Sequence, residues 1–180
     1  MAAEGSGYLR PRYAAPLVTA SLPTSAVIDN VLAGTPEVAQ QLAAADVAAW
    51  DAVDPVLLEL CRLRVAMLLG CAAELQVRTP AASAAGLDEA TIAELSRWPT
   101  SDRFGARERA CLAFCEQFVI DVANLDDALA AAVSAELGAE GLVDFTNGLL
   151  VLEQRQRLRL AWERLGLVAG PGPGLDEDAA

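Results

Sequence analysis

The chain has 180 residues, 54% of them hydrophobic, so it is long enough to bury the core of one domain. Asp and Glu outnumber Lys and Arg by 25 to 13, and the resulting net charge of −12 argues against nucleic-acid binding. Histidine is absent, which excludes Ser-His-Asp triads, Cys-His pairs and histidine-ligated metal sites.

The two ends of the chain differ in composition from its middle. Residues 1–22 are rich in Ala, Gly, Pro and Arg without the apolar segment of a signal peptide, and we interpret them as an arm. Residues 23–168 are predicted to form the folded domain, and residues 169–180 a disordered acidic tail. No apolar run reaches the roughly 18 residues of a membrane span. These features predict a cytoplasmic protein with reduced thiols and no membrane partner.

Helix signals follow one another along the domain. One helix is predicted to begin near Thr24 and to end at Gly34, and Thr35 with Pro36 begins the next. Asp54 caps a third, apolar helix that ends at Gly70. Further helices are predicted from about Cys71 and over residues 86–98, 101–122, 126–138 and 140–167. Because no strand or hairpin pattern occurs, we predict an all-α fold, a single compact domain of about seven or eight helices.

Cys71 is the first candidate catalytic residue, because it follows Gly70 at a predicted helix start. Unpaired N–H groups at a helix N-terminus lower the pKa of a thiol and favour the thiolate. Glu59 lies twelve residues upstream and could return toward the thiol if the two helices pack as an antiparallel pair around Gly70. The alternative is that Cys71 is a small buried hydrophobic residue.

Glu74 and Arg78 are the next candidates. On a continuous helix, positions 71, 74 and 78 would share one face, and Glu before Arg at i,i+4 favours an ion pair. If this pair is exposed, it is an ordinary surface ion pair of little energetic value. If it lines a cleft, Arg78 becomes an anion-binding group and Glu74 its orienting residue or an acid/base.

The other three cysteines are predicted to pack in the core or at an interface. Cys111 and Cys115 are separated by four residues, which suits helix packing better than a disulfide. Cys61 has no partner in the sequence pattern, no C-x-x-C occurs, and the thiols lack the grouping of a zinc site. The sequence therefore predicts no metal and no cofactor.

Residues 54–71, DPVLLELCRLRVAMLLGC, resemble the helix leading into the active site of the carboxymuconolactone decarboxylase and alkylhydroperoxidase D-like superfamily. Members typically carry E-L-x-x-L-R-V-A, then a cysteine about a dozen residues after the glutamate; Glu59 and Cys71 match. The order of the later segments is similar, and Gln156, Arg157 and Leu158 resemble the N-R-L of the family's last helix. The resemblance covers roughly residues 54–167. It implies an all-helical fold that assembles as homo-oligomers, either trimers or hexamers.

The resemblance also implies a particular chemistry. In the alkylhydroperoxidase D-like branch, a glutamate, a C-x-x-C pair and a histidine form a proton relay around a dithiol, which reduces peroxides or passes electrons to a peroxiredoxin partner. Here Glu59 and Cys71 keep two of the four positions, whereas Glu74 replaces the second cysteine and Arg78 the histidine. The dithiol cycle is excluded because no vicinal thiol remains to resolve a sulfenic acid. The decarboxylase branch also relies on histidine.

Three functions are compatible with these residues. The first is a non-dithiol member of the superfamily that binds or transforms a small metabolite, whether anionic or neutral. Glu59 or Glu74 would be its acid/base, Arg78 would bind substrate, and Arg157 is a second candidate for that role. The second is a one-cysteine thiol peroxidase in which Cys71 attacks a peroxide and an external thiol resolves the sulfenate. The third is a non-catalytic oligomeric binding or structural protein.

Overall fold

The computed structural model describes residues 27, 28 and 30–168, and the regular structure of these residues is helical throughout. This confirms the predicted all-α class. The predicted arm, residues 1–22, and the predicted tail, residues 169–180, lie outside the described residues. The described α-helices after residue 35 are α1 (Pro36–Ala52), α2 (Pro55–Leu69), α3 (Ala72–Leu75), α4 (Pro80–Ala84), α5 (Glu89–Ala93), α6 (Ala106–Asp121) and α7 (Asp127–Arg164). Two 3-10 turns, Leu95–Arg97 and Val122–Asn124, flank α6.

Helix α2 forms the centre of the domain and packs against both α6 and α7. The side chain of Asp54 begins it by accepting hydrogen bonds from the backbone N–H groups of Val56 and Leu57, each at 3.0 Å. Gly70 ends it in the left-handed region, with a φ of 70°. Nine of its 15 residues are buried, on every side of the helix. This agrees with the apolar helix predicted here, because neighbouring helices enclose α2.

Helix α7 is the longest of the described helices, and α1 packs against it. Its helical backbone is broken at Gly138, whose φ of 78° and ψ of 170° separate the two helices predicted in this region. At Gly148 the helices approach closely, since a Cβ atom there would lie 3.1 Å from Leu58 Cδ1. Among the described helices, none combines the length and apolar character required to cross a bilayer.

The chain reverses at Gly70 and returns beside α2, so that the segment from Cys71 to Thr79 packs along it. The helix predicted from Cys71 is a single turn, and Arg78 lies in the connection between α3 and α4. Thr79 is extended, with φ of −79° and ψ of 131°, because the following Pro80 disfavours a helical conformation of the preceding residue. The predicted shared helix face of residues 71, 74 and 78 is therefore wrong.

Candidate functional site

Arg62, which sequence analysis did not single out, organises the candidate site. Its Nε and Nη2 donate to the two carboxylate oxygens of Glu59 at 2.7 and 2.8 Å. Its Nη1 donates to Oε2 of Glu74 at 2.6 Å and to the main-chain oxygen of Glu74 at 2.8 Å. Nη2 also donates to the main-chain oxygen of Val77 at 2.8 Å. All five N–H groups of the guanidinium are thereby used.

The Glu59–Arg62–Glu74 cluster lies almost entirely out of solvent. These three residues are 0%, 1% and 4% exposed. Burial by itself would lower the pKa of Arg62, but the hydrogen bonds and charges of Glu59 and Glu74 outweigh it and raise that pKa. The guanidinium therefore stays charged and binds both carboxylates.

The cluster also fixes the path of the returning segment. The backbone N–H of Thr79 donates to Glu59 Oε1 at 3.2 Å. Together with the Arg62 bonds to main-chain oxygens, this ties both α3 and the start of α4 to the middle of α2. Proton transfer by Glu59 would require Arg62 to release its carboxylate, since both oxygens accept from the guanidinium.

Cys71 occupies the N-cap position of α3 and is fully buried. Burial raises the pKa of its thiol above the ordinary value, and the negative charges of Glu74 and Glu163 add to the increase. A hydrogen bond from the Glu74 backbone and the charge of Arg159 oppose this shift of the pKa but do not reverse it. The lowering effect of a helix start on the thiol pKa is therefore outweighed, since α3 is a single turn and the thiol is desolvated.

Arg78 and Glu74 bind different partners, so the ion pair predicted between them is wrong. Arg78 Nε and Nη2 donate to the two carboxylate oxygens of Glu89 at 2.8 and 3.1 Å. Its Nη1 donates to the main-chain oxygens of Leu75 and Val77 at 2.7 and 2.8 Å. The Arg78 side chain is 31% exposed and that of Glu89 is 70% exposed. Arg78 thus lies at the surface next to the buried cluster.

Arg157 lies on the outside of α7, with its side chain 54% exposed, and pairs with Glu153 at 2.7 Å. Its neighbour Gln156 points inward instead, is 1% exposed and donates from Nε2 to the main-chain oxygen of Arg62 at 2.9 Å. Gln156 Oε1 has no hydrogen-bond partner among the described residues. Sequence analysis missed Gln156, although its spacing from Leu149 and Leu152 places it on the buried face of the helix.

The structure therefore brings together Glu59 and Glu74, through Arg62, and places Cys71 close to Glu74. The three remaining cysteines are buried free thiols, as predicted. Within the described part of the chain, no group of three or more Cys, Asp or Glu side chains is arranged to hold a metal ion.

Comparison with known proteins finds a family that matches the part of the chain containing these residues. The sequence profile of the carboxymuconolactone decarboxylase family matches residues 34–117, a range that contains the whole Glu59–Arg62–Glu74 cluster and Cys71. This range is just under half of the chain, and the match supports the resemblance to the carboxymuconolactone decarboxylase and alkylhydroperoxidase D-like superfamily. The resemblance seen in residues 54–71 is thus confirmed.

A solved structure has the same fold as this chain. It is the crystal structure of an Agrobacterium tumefaciens protein of unknown function, presented as a candidate antioxidant defence protein AhpD. The two chains are 20% identical with a TM-score of 0.67, over 74% of this chain and 93% of the other. No curated protein matches the sequence at a significant level.

Proposed function

We propose that this superfamily member works without a redox dithiol and binds a small carboxylate-bearing metabolite at Arg78, beside the Glu59–Arg62–Glu74 cluster. The observation that carries the proposal is the occupancy of the second-cysteine position. Glu74 lies there, and it is bound by a buried arginine whose five N–H groups are all used. At this position a carboxylate bound to a guanidinium thus replaces the second thiol of the pair, while Cys71 keeps the first.

Arg78 has the geometry of a carboxylate-binding group. Its Nη1 is anchored to two main-chain oxygens, which holds the guanidinium in one orientation. Its other two nitrogens bind the exposed carboxylate of Glu89 side by side, the geometry that suits recognition of a carboxylate. A small anionic ligand could replace Glu89 without moving the arginine.

In this proposal Glu59 and Glu74 are the acid/base candidates for any transformation of the bound molecule. Both are held by Arg62, so proton transfer would accompany a shift of the guanidinium. Arg157 is not part of the proposed site, because it pairs with Glu153 on the outer side of α7. A non-catalytic binding protein would use the same Arg78 geometry. It would differ from an enzyme in that it leaves the bound molecule unchanged.

The carboxylate site is tested by thermal unfolding in a panel of small mono- and dicarboxylic acids. A ligand at about ten times its Kd is expected to stabilise the chain by roughly 1.4 kcal/mol, a rise of about 3–6 °C in Tm. Arg78→Ala should remove this rise, and Glu89→Gln should strengthen it by removing the competing carboxylate. Arg103→Ala, which alters another exposed arginine, is the control. Equal stabilisation of the Arg78→Ala and wild-type chains would refute the site.

The one-cysteine peroxidase alternative predicts a reactive Cys71. Because this thiol is buried and its pKa is raised, we expect native Cys71 to react with iodoacetamide at pH 7.5 at least ~100-fold more slowly than a free cysteine. Mass spectrometry of the labelled chain measures the rate, with the urea-unfolded chain as reference. Thiol-dependent peroxide consumption should be the same for wild type and Cys71→Ser. Fast labelling with peroxide consumption lost in Cys71→Ser would instead establish the peroxidase.

A further inference from the structure

Three of the four cysteines meet between two helices that are distant in the sequence. Cys61 lies on α2, Cys111 and Cys115 lie one turn apart on α6, and the two helices pack against each other. All three thiols are fully buried. Cys71 lies in a different environment, where the charges that act on its thiol belong to α3 and α7. We call Cys61, Cys111 and Cys115 the thiol cluster.

Within the thiol cluster, Cys61 and Cys115 are in direct contact. The Sγ of Cys115 donates to the main-chain oxygen of Cys61 at 3.9 Å. Burial raises the pKa of the Cys61 thiol, and a hydrogen bond between the two thiols raises that pKa further. Cys111 affects the same pKa only through its charge. A disulfide needs two backbones within about 7 Å, and the approach of Cys115 Sγ to the main chain of Cys61 meets this need better than Cys111 does.

We propose that Cys61 and Cys115 form a disulfide when the chain meets a hydroperoxide, so that oxidation joins α2 to α6. One of the two thiols attacks the peroxide as its thiolate; the O–O bond breaks, an alcohol leaves, and the sulfur becomes a sulfenic acid. The other sulfur then attacks the sulfenic sulfur, so that the S–S bond forms, the S–O bond breaks and water leaves. Two thiols are thereby oxidised, and one hydroperoxide is reduced to an alcohol and water.

The burial of the pair makes this a slow and lasting modification rather than a catalytic cycle. The peroxide reaches the thiols only when the helix pair opens briefly, and after closure the disulfide is out of reach of external thiols. Cys61 is two positions from Glu59, about 200° around α2, so the bond forms on the side away from that carboxylate. The modification is therefore independent of the proposed carboxylate site.

Peptide mapping without reduction tests which thiols pair. The full chain is treated with hydrogen peroxide at pH 8, and its remaining thiols are alkylated in urea before digestion. We expect a linked peptide pair containing Cys61 and Cys115, with two of the four free thiols lost. The same treatment in urea is the reference, because loop closure then favours Cys111–Cys115 and Cys61–Cys71 over a pair 54 residues apart. A native chain that keeps all four thiols, or that gives the urea pairings, overturns the proposal.

Two variants of the thiol cluster locate the bond and measure its effect on the fold. Cys111→Ala should still form the disulfide, whereas Cys115→Ala should not; circular dichroism checks that both fold, and Cys61→Ala is a second variant without the bond. Because the bond restricts the unfolded chain, peroxide treatment should raise the urea midpoint of Cys111→Ala relative to that of Cys115→Ala. Equal linkage in these two variants, or the same change of midpoint in both, overturns the proposal.

Discussion

Replacement of Arg62 by methionine is expected to lower the free energy of unfolding by about 3–5 kcal/mol. Methionine has a similar length and packs well, so the main effect is electrostatic. Glu59 and Glu74 would remain buried without their guanidinium, and the main-chain oxygens of Glu74 and Val77 would lose their donors. Urea unfolding followed by circular dichroism measures the loss.

Two further variants make the Arg62 result specific. Arg157→Ala breaks an exposed ion pair on α7 and should cost only a few tenths of a kcal/mol. The triple variant Glu59→Met/Arg62→Met/Glu74→Met removes the buried charges together and should recover part of the stability lost by Arg62→Met alone. An Arg62→Met chain within about 1 kcal/mol of wild type would show that the cluster opens to water at little cost.

A rise of pH above about 9 is expected to destabilise the fold through its buried thiols. Burial raises the pKa of Cys71 and of Cys61, and raises the pKa of Cys111 to about 12. In the unfolded chain these thiols ionise near pH 8.5, so between that pH and about 12 the unfolded state binds fewer protons than the folded state. The stabilising contribution is complete below pH 8.5 and is lost as the pH rises. Each thiol with a raised pKa lowers the free energy of unfolding by up to about 1.4 kcal/mol per pH unit.

Urea unfolding at pH 7.5, 8.5, 9.5 and 10 measures this loss of stability. Cys111→Ala provides the comparison, because it removes one thiol whose pKa is raised to about 12 and leaves the others in place. Its free energy of unfolding should fall less steeply with pH than that of wild type, by a slope close to one proton. If the free energy of unfolding falls equally steeply with pH in the two chains, the pKa of Cys111 is the same in the folded and unfolded states.

Those features of the fold that depend on nearby residues could be predicted from sequence. Asp54 and Gly70 bound α2 as expected, because a side-chain cap and a left-handed glycine act within one turn of the helix. The length of α3 could not be predicted in the same way. The sequence prediction continued this helix from Cys71 through Arg78, whereas the reversal at Gly70 and the restriction imposed by Pro80 limit it to one turn.

The candidate site depends on contacts between residues distant in the chain, and there the predictions were less complete. Sequence placed Glu59, Cys71 and Glu74 near one another through a family resemblance, but it paired Glu74 with the nearest arginine, Arg78. The structure pairs Glu74 with Arg62, twelve residues away in sequence, because the chain doubles back along α2. Likewise, the family motif directed attention to Arg157, while the 100° step between helix positions turns the adjacent Gln156 inward.

The way Arg62 holds the returning segment has an evolutionary consequence. Two of its hydrogen bonds end on main-chain oxygens, and Glu59 receives a main-chain N–H from Thr79. These bonds do not depend on which side chains occupy positions 74, 77 and 79. The course of the loop can therefore be inherited while its reactive groups are exchanged, so a lineage can abandon one chemistry without rebuilding the domain.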